Sequence, residues 1–202
     1  MINTIPFRAD EWKNDGSDVC LLLRNKCARE SCFADLQIER HVYLGNNLLS
    51  VNRELLQPKG FGDIYSFGLA QMYAYILLLE GKFPEQREYI AGLTESDNPF
   101  VKQRENLLNA MITENYIISG APVEWIRARA EQHDFKSLLK DDPGIAYRLL
   151  YWLSSRGIAP ADSAPEYYLE QHKRYLRNCG SQAAFELASN IMELIKKRCK
   201  AG

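Results

Sequence analysis

The sequence predicts an all-α fold of eight to ten helices, packed as successive antiparallel hairpins in the manner of an α-solenoid or tetratricopeptide-like array. Three observations predict it. Gly45, Gly81, Gly120 and Gly157 recur at intervals of 36, 39 and 37 residues, and the last three stand between an apolar run and a proline two or three positions on. Glycine relieves the left-handed turn at a helix C-terminus, and proline fits the first turn of the next helix, so each pair reads as helix stop and helix start. Period-two alternation is scarce, and no Asn-Gly or Asp-Gly turn separates two apolar runs. Apolar residues recur at helical spacing, as in Phe185, Leu187, Ala188, Ile191, Leu194 and Ile195.

The elements follow in order. Ser17 or Asp18 caps a helix through about Arg29, and a second runs from Ser31 to about Gln57, where Pro58-Lys59-Gly60 stops it. Phe33, Leu36, Val42, Leu48, Leu49, Leu55 and Leu56 supply its apolar stripe, with Gly45 as a kink or close-packing point. The third helix, Gly62 to Glu80, is apolar almost all round and belongs at the centre; its Tyr65, Tyr73 and Tyr75 read as structural, with hydroxyls reaching buried partners. Pro84-Glu85 opens a short helix ending near Gly92, and Asn98-Pro99 opens a long one ending at Gly120. Pro122 starts a helix holding Trp125, a short helical turn spans Phe135 to Leu139, and Asp142-Pro143 begins another that ends at Gly157. Pro165-Glu166 opens a helix through Leu176, and Ser181 caps the last. The Trp, Leu-Gly and Tyr offsets of a tetratricopeptide repeat are absent, so hairpin packing is the safer statement.

At 202 residues the chain is long enough for one well-buried core and is read as a single helical domain, 1–202, with N-terminal helices over 1–60 and a hairpin core over 61–202. Lys plus Arg numbers 25 against 26 acidic residues, which leaves no net field for a phosphate backbone and argues against nucleic acid as partner. The basic Lys196-Lys197-Arg198-Cys199-Lys200 suits a helix C-terminus. The start, Met1-Ile2-Asn3-Thr4-Ile5-Pro6, lacks a charged and then apolar leader, and the most apolar window, Phe61 to Leu79, carries Asp63, Ser66, Gly68 and Gln71. A cytoplasmic protein without a membrane partner is expected. Five cysteines, an odd number without CxxC spacing, suit reduced thiols.

Catalytic signatures are missing. His41, His133 and His172 lie in separate segments with no HExxH pair, and there is no GxSxG, GxxxxGK[ST] or GxGxxG. Gly60-Phe61-Gly62 follows a helix and proline rather than a strand, so a dinucleotide loop fails on context. Asp141-Asp142 reads as a helix cap rather than an acid/base pair. No catalytic, cofactor-binding or metal residue is assigned, and no enzyme is expected. Aromatic residues beside charges, Glu124-Trp125 and Glu166-Tyr167-Tyr168, read instead as anchors for a protein partner.

From Phe61 to the C-terminus, through Tyr65-Ser66-Phe67-Gly68-Leu69-Ala70 and the Gly120–Pro122 junction, the chain resembles the all-helical immunity proteins that bacteria make against polymorphic or contact-delivered toxins. That resemblance implies a non-catalytic module whose partner is a cognate toxin. Glu114, Glu124, Glu131, Asp134, Asp141 and Asp142 would then imitate an anionic substrate, with Trp125, Tyr167 and Tyr168 as anchors. A secretion chaperone or adaptor holding a secreted client, or a helical scaffold, is the alternative, and a chaperone would present an apolar groove instead of a charged patch. A third reading is an enzyme or ligand binder with a scattered site enclosed near the Phe61 to Leu79 helix.

Overall fold

The computed structural model describes residues 8–9, 12–13, 15–57, 60 and 62–200. The expectations placed on Met1 to Pro6, on the stop at Pro58-Lys59 and on Phe61 lie outside the described residues. Two short strands, β1 (Arg8–Ala9) and β2 (Trp12–Lys13), pair antiparallel. The other regular elements among the described residues are helices: α1 (Asp15–Arg24), α2 (Lys26–Tyr43), α3 (Ile64–Leu79), α4 (Phe83–Thr94), α5 (Pro99–Lys102), α6 (Glu105–Ser119), α7 (Val123–Ala130), α8 (Phe135–Asp141), α9 (Pro143–Ser155), α10 (Pro165–Arg177) and α11 (Gln182–Lys200). Two 3-10 turns, Leu48–Ser50 and Arg53–Leu56, join α2 to α3.

The four periodic glycines all adopt positive φ, between 63° and 81°. Each closes a helix by the same pair of bonds. At Gly120 its own N–H reaches Ile117 O and the next N–H reaches Tyr116 O; the pattern repeats at Gly45, Gly81 and Gly157. This is the Schellman closure, which satisfies carbonyls the helix leaves open. Gly45 is therefore a stop rather than a kink, and α2 ends at Tyr43, well short of Gln57. Asparagines divide the remainder: Asn25 starts α2 by accepting from Ala28 N, and Asn47 and Asn52 start the two 3-10 turns. Short amide side chains compete for local N–H groups, which a reading of apolar stripes alone passes over.

The expected cap at Ser17 or Asp18 is not found, since α1 already runs from Asp15 and stops at Arg24 rather than Arg29. Asp142 and Ser181 cap where expected, and Asp63 adds a cap to α3. Asp63 Oδ1 accepts from the N–H groups of Tyr65 and Ser66, Asp142 caps α9, and Ser181 Oγ accepts from Ala184 N at 2.9 Å. One long helix splits: Arg104 leaves the helical region at φ −111°, stacks its guanidinium 3.6 Å from the Phe100 ring centre and donates to Phe100 O. That break makes α5 and α6 two elements.

Helices pack in succession, α2 on α3, α3 on α4, α4 on α6, α6 on α7 and α8, α8 on α9, α9 on α10. The terminal α11 then returns across α2, α3, α6 and α9, closing the array over a core that runs from Ile38 to Ile195. Both of its ends are strapped down. Glu39 of α2 accepts from Gln182 N, Ala183 N and the Ser181 hydroxyl at the start, placing a carboxylate at a positive helix end. Arg198 near the finish donates from Nε to Ile118 O at 2.7 Å, plugging the open end of α6. The basic tail is thus part of the packing.

Candidate functional site

Of the acids expected at a partner surface, Glu114 is placed elsewhere. It is 0% exposed. α6 is enclosed by α4, α7, α8, α9 and α11, so position 114 turns inward and meets Arg148 of α9. Arg148 Nε donates to Glu114 Oε1 at 2.6 Å, Arg148 Nη2 donates to Oε2 at 3.3 Å and to the Tyr75 hydroxyl at 3.0 Å, and that hydroxyl donates to Oε2 at 2.9 Å. Burial opposes both charges. At Arg148 the Glu114 carboxylate more than offsets it and holds the guanidinium above its ordinary pKa; at Glu114 burial raises the carboxyl while Arg148 pulls it back. Tyr75, raised by burial and by Glu114, stays protonated and keeps its donor. With every group satisfied the knot joins α3, α6 and α9 and offers nothing to a partner. Its signal in the sequence is a single ionisable residue inside an apolar run: Glu114 among Met111, Ile112, Ile117 and Ile118, and Arg148 among Ile145, Leu149 and Leu150.

Two more expected contacts are committed to structure. Asp142 accepts from Ile145 N as the cap of α9 and from Gln71 Nε2 at 3.1 Å. Tyr168 is 4% exposed, its hydroxyl donating to Asp162 Oδ1 at 2.8 Å and accepting from the Asp162 and Ser163 N–H groups. Both were read as surface contacts, and burial corrects Tyr168 as it does Glu114.

The remainder are exposed. Glu124 and Trp125 lie on α7 with Glu131 just past its end; Asp134 caps α8, and Asp141 accepts from the Ser137 hydroxyl. Tyr167 is exposed on α10, which packs chiefly on α9 and stands apart from α7 in the order of contacts. Trp125 is 61% exposed on a helix otherwise anchored by buried Ile126 and Ala130. One turn on, Arg129 shares its stripe, and Gln132 follows in the turn just past the helix end. Beside the stripe opens a polar cleft of about 260 Å³ lined by Glu105, Asn106, Asn109, Arg129, Gln132 and His133. His133 Nε2 pairs with Thr113 Oγ1 at 2.8 Å; the threonine hydroxyl donates onward to Asn109 O, so the ring nitrogen carries the proton. Burial, and then Arg129, push His133 down to about 4, leaving it neutral near pH 7. Sequence reading singled out Trp125 but passed over Arg129, whose spacing of four was the available signal.

A second surface is apolar. Phe33, Leu36 and Tyr43 stand exposed on one stripe of α2, because its inner face is built from Ala28, Ser31, Ile38 and Val42. Phe33 and Leu36 were expected in the core stripe, and they point out of it. Between α2 and the Arg53–Leu56 turn lies a groove of about 400 Å³ walled by Phe33, Ala34, Leu55 and Leu69.

Among the described residues no group of three His, Cys, Asp or Glu side chains could hold a metal ion, and no helix is long and apolar enough to cross a membrane. No family model, curated protein or solved structure matches the chain.

Proposed function

We propose that this chain is a non-catalytic protein-binding module that blocks a cognate protein, of the kind the resemblance to toxin immunity proteins implies, and that α7 is its contact face. The observation that carries the reading is Trp125, a large aromatic side chain left 61% exposed on a well-packed helix, with Glu124 beside it and Arg129 one turn on. Trp and Arg dominate the energetics of protein interfaces, and surrounding acids add charge complementarity toward a basic cleft. Glu124, Glu131, Asp134 and Asp141 remain in the acidic set; Glu114 and Asp142 leave it.

Co-expression with the product of the neighbouring gene, followed by capture, is expected to recover a stoichiometric complex that Trp125→Ala abolishes. No complex, or one indifferent to position 125, would count against the reading. The apolar groove beside Phe33 favours a second reading, an adaptor for a client helix; Leu36→Asp would then release the captured protein while Trp125→Ala would not.

A further inference from the structure

Tyr116 of α6 carries two guanidinium groups over its ring: Arg87 of α4 at 5.4 Å and Arg129 of α7 at 5.3 Å from the ring centre. Among the described residues Arg87 donates to Asn115 Oδ1, which is a neutral amide. Arg129 engages no hydrogen-bond acceptor among the described residues; its Nε is shut off from solvent without a partner, whereas its terminal nitrogens are not among the closed-off atoms. Among the described residues neither arginine has a carboxylate within ion-pair distance. Cation–π contact offsets part of the cost of drawing such groups from water, and a forked oxyanion is the acceptor whose geometry best matches the free guanidinium nitrogens. Arg129 also lines the 260 Å³ cleft, where Asn106, Asn109, Gln132 and His133 add polar groups and exposed Glu105 is the one acid among the described residues that line it.

We infer that this cleft is an oxyanion site for a carboxylate, held by Arg129 with Arg87 adding charge across the Tyr116 ring, and that an acidic side chain of the protein partner on α7 fills it. The assignment of the partner as the source rests on the reading of α7 as contact face; the site itself does not. Arginine completes its bonding when the carboxylate enters, and Trp125 on the same stripe sits where a partner would bring one.

The test is titration of the intact protein with acetate, succinate and inorganic phosphate at matched ionic strength, following the arginine Nε–H resonances by NMR. Acetate or succinate is expected to shift the Arg129 signal saturably, Arg129→Gln to remove binding, Arg129→Lys to weaken it at least tenfold, and Glu105→Gln to tighten it by removing a like charge. Shifts that stay linear, that spread evenly over all arginines, or that saturate only with phosphate would overturn the carboxylate assignment. Should Arg129→Gln fail to fold, the Lys and Glu105→Gln variants decide. Trp125→Ala is expected to leave this titration intact while abolishing capture of the partner, which separates failure of the site from failure of the contact face. In the complex, Arg129 is expected to ignore added succinate; a shift as large as in the free protein would overturn the partner as source.

Discussion

Two arginine–tyrosine settings in this molecule are near copies in parts and opposites in completeness. Arg148 lies 5.6 Å from the centre of the Tyr75 ring with Glu114 bonded to both, and all three are buried. Arg129 lies 5.3 Å from the centre of the Tyr116 ring with Arg87 where an acid would be wanted, and it faces a cleft. The first is a finished knot whose value is to fix three helices; in the second, no acid among the described residues is bonded to the arginine. The difference is the ground on which a partner's carboxylate is proposed for the second setting and not for the first.

The sharpest way to break the comparison is to make the first setting resemble the second. Glu114→Ala leaves Arg148 buried without a countercharge and is expected to cost about 3–5 kcal/mol in urea denaturation. A loss below about 1 kcal/mol would mean that the knot is not paired as described.

Next in size is the surface. Trp125→Ala is expected to weaken the partner by at least about 2 kcal/mol, read by calorimetry on the co-expressed complex, with thermal stability of the free protein unchanged within about 0.5 kcal/mol. An equal fall in both quantities would mark Trp125 as packing.

A third test concerns the interior near Arg148. His172 is 1% exposed, and burial, then Arg148 and Lys196, push it down to about 3. Its folded pKa lies below the unfolded value near 6.5, so unfolding takes up a proton; stability is whole above pH 6.5 and declines as pH falls from there toward 3. At pH 5 the decline is about 2 kcal/mol from this residue, and His172→Leu should remove it from the difference between urea curves at pH 7.5 and pH 5. An unchanged difference would place the ring in contact with solvent.

The smallest effect expected is on Arg129→Gln, which should alter folding stability by no more than about 0.5 kcal/mol while removing anion binding. That asymmetry with Glu114→Ala is the comparison in its plainest form.

The sequence displayed its punctuation well and its interior poorly. Glycine at a Schellman closure and Asp or Ser at a cap are local decisions, set by backbone sterics within a few residues, so Gly81, Gly120, Gly157, Asp142 and Ser181 could be placed without knowing the packing. The fate of Glu114 was not local. It depends on Arg148, which lies 34 positions away, and on α6 being enclosed by five helices. Phe33 and Leu36 illustrate the same limit, since a helix with apolar residues on two faces does not declare which one is covered. Of the candidate contact residues, Trp125 was legible because an aromatic next to a charge on a helix must diverge from it, and the spacing of four put Arg129 on its stripe; the stacking of Arg129 on Tyr116 was not legible, because it joins two helices.

Docking of a partner protein on α7 can be read by photo-crosslinking in cells from a benzoylphenylalanine placed at exposed Ala128, one turn from an intact Trp125, with position 36 as reference. One discrete adduct of the mass of a one-to-one complex is expected from position 128 and none from position 36. An adduct from position 36 alone, or equal labelling of many proteins from both, would contradict docking on α7.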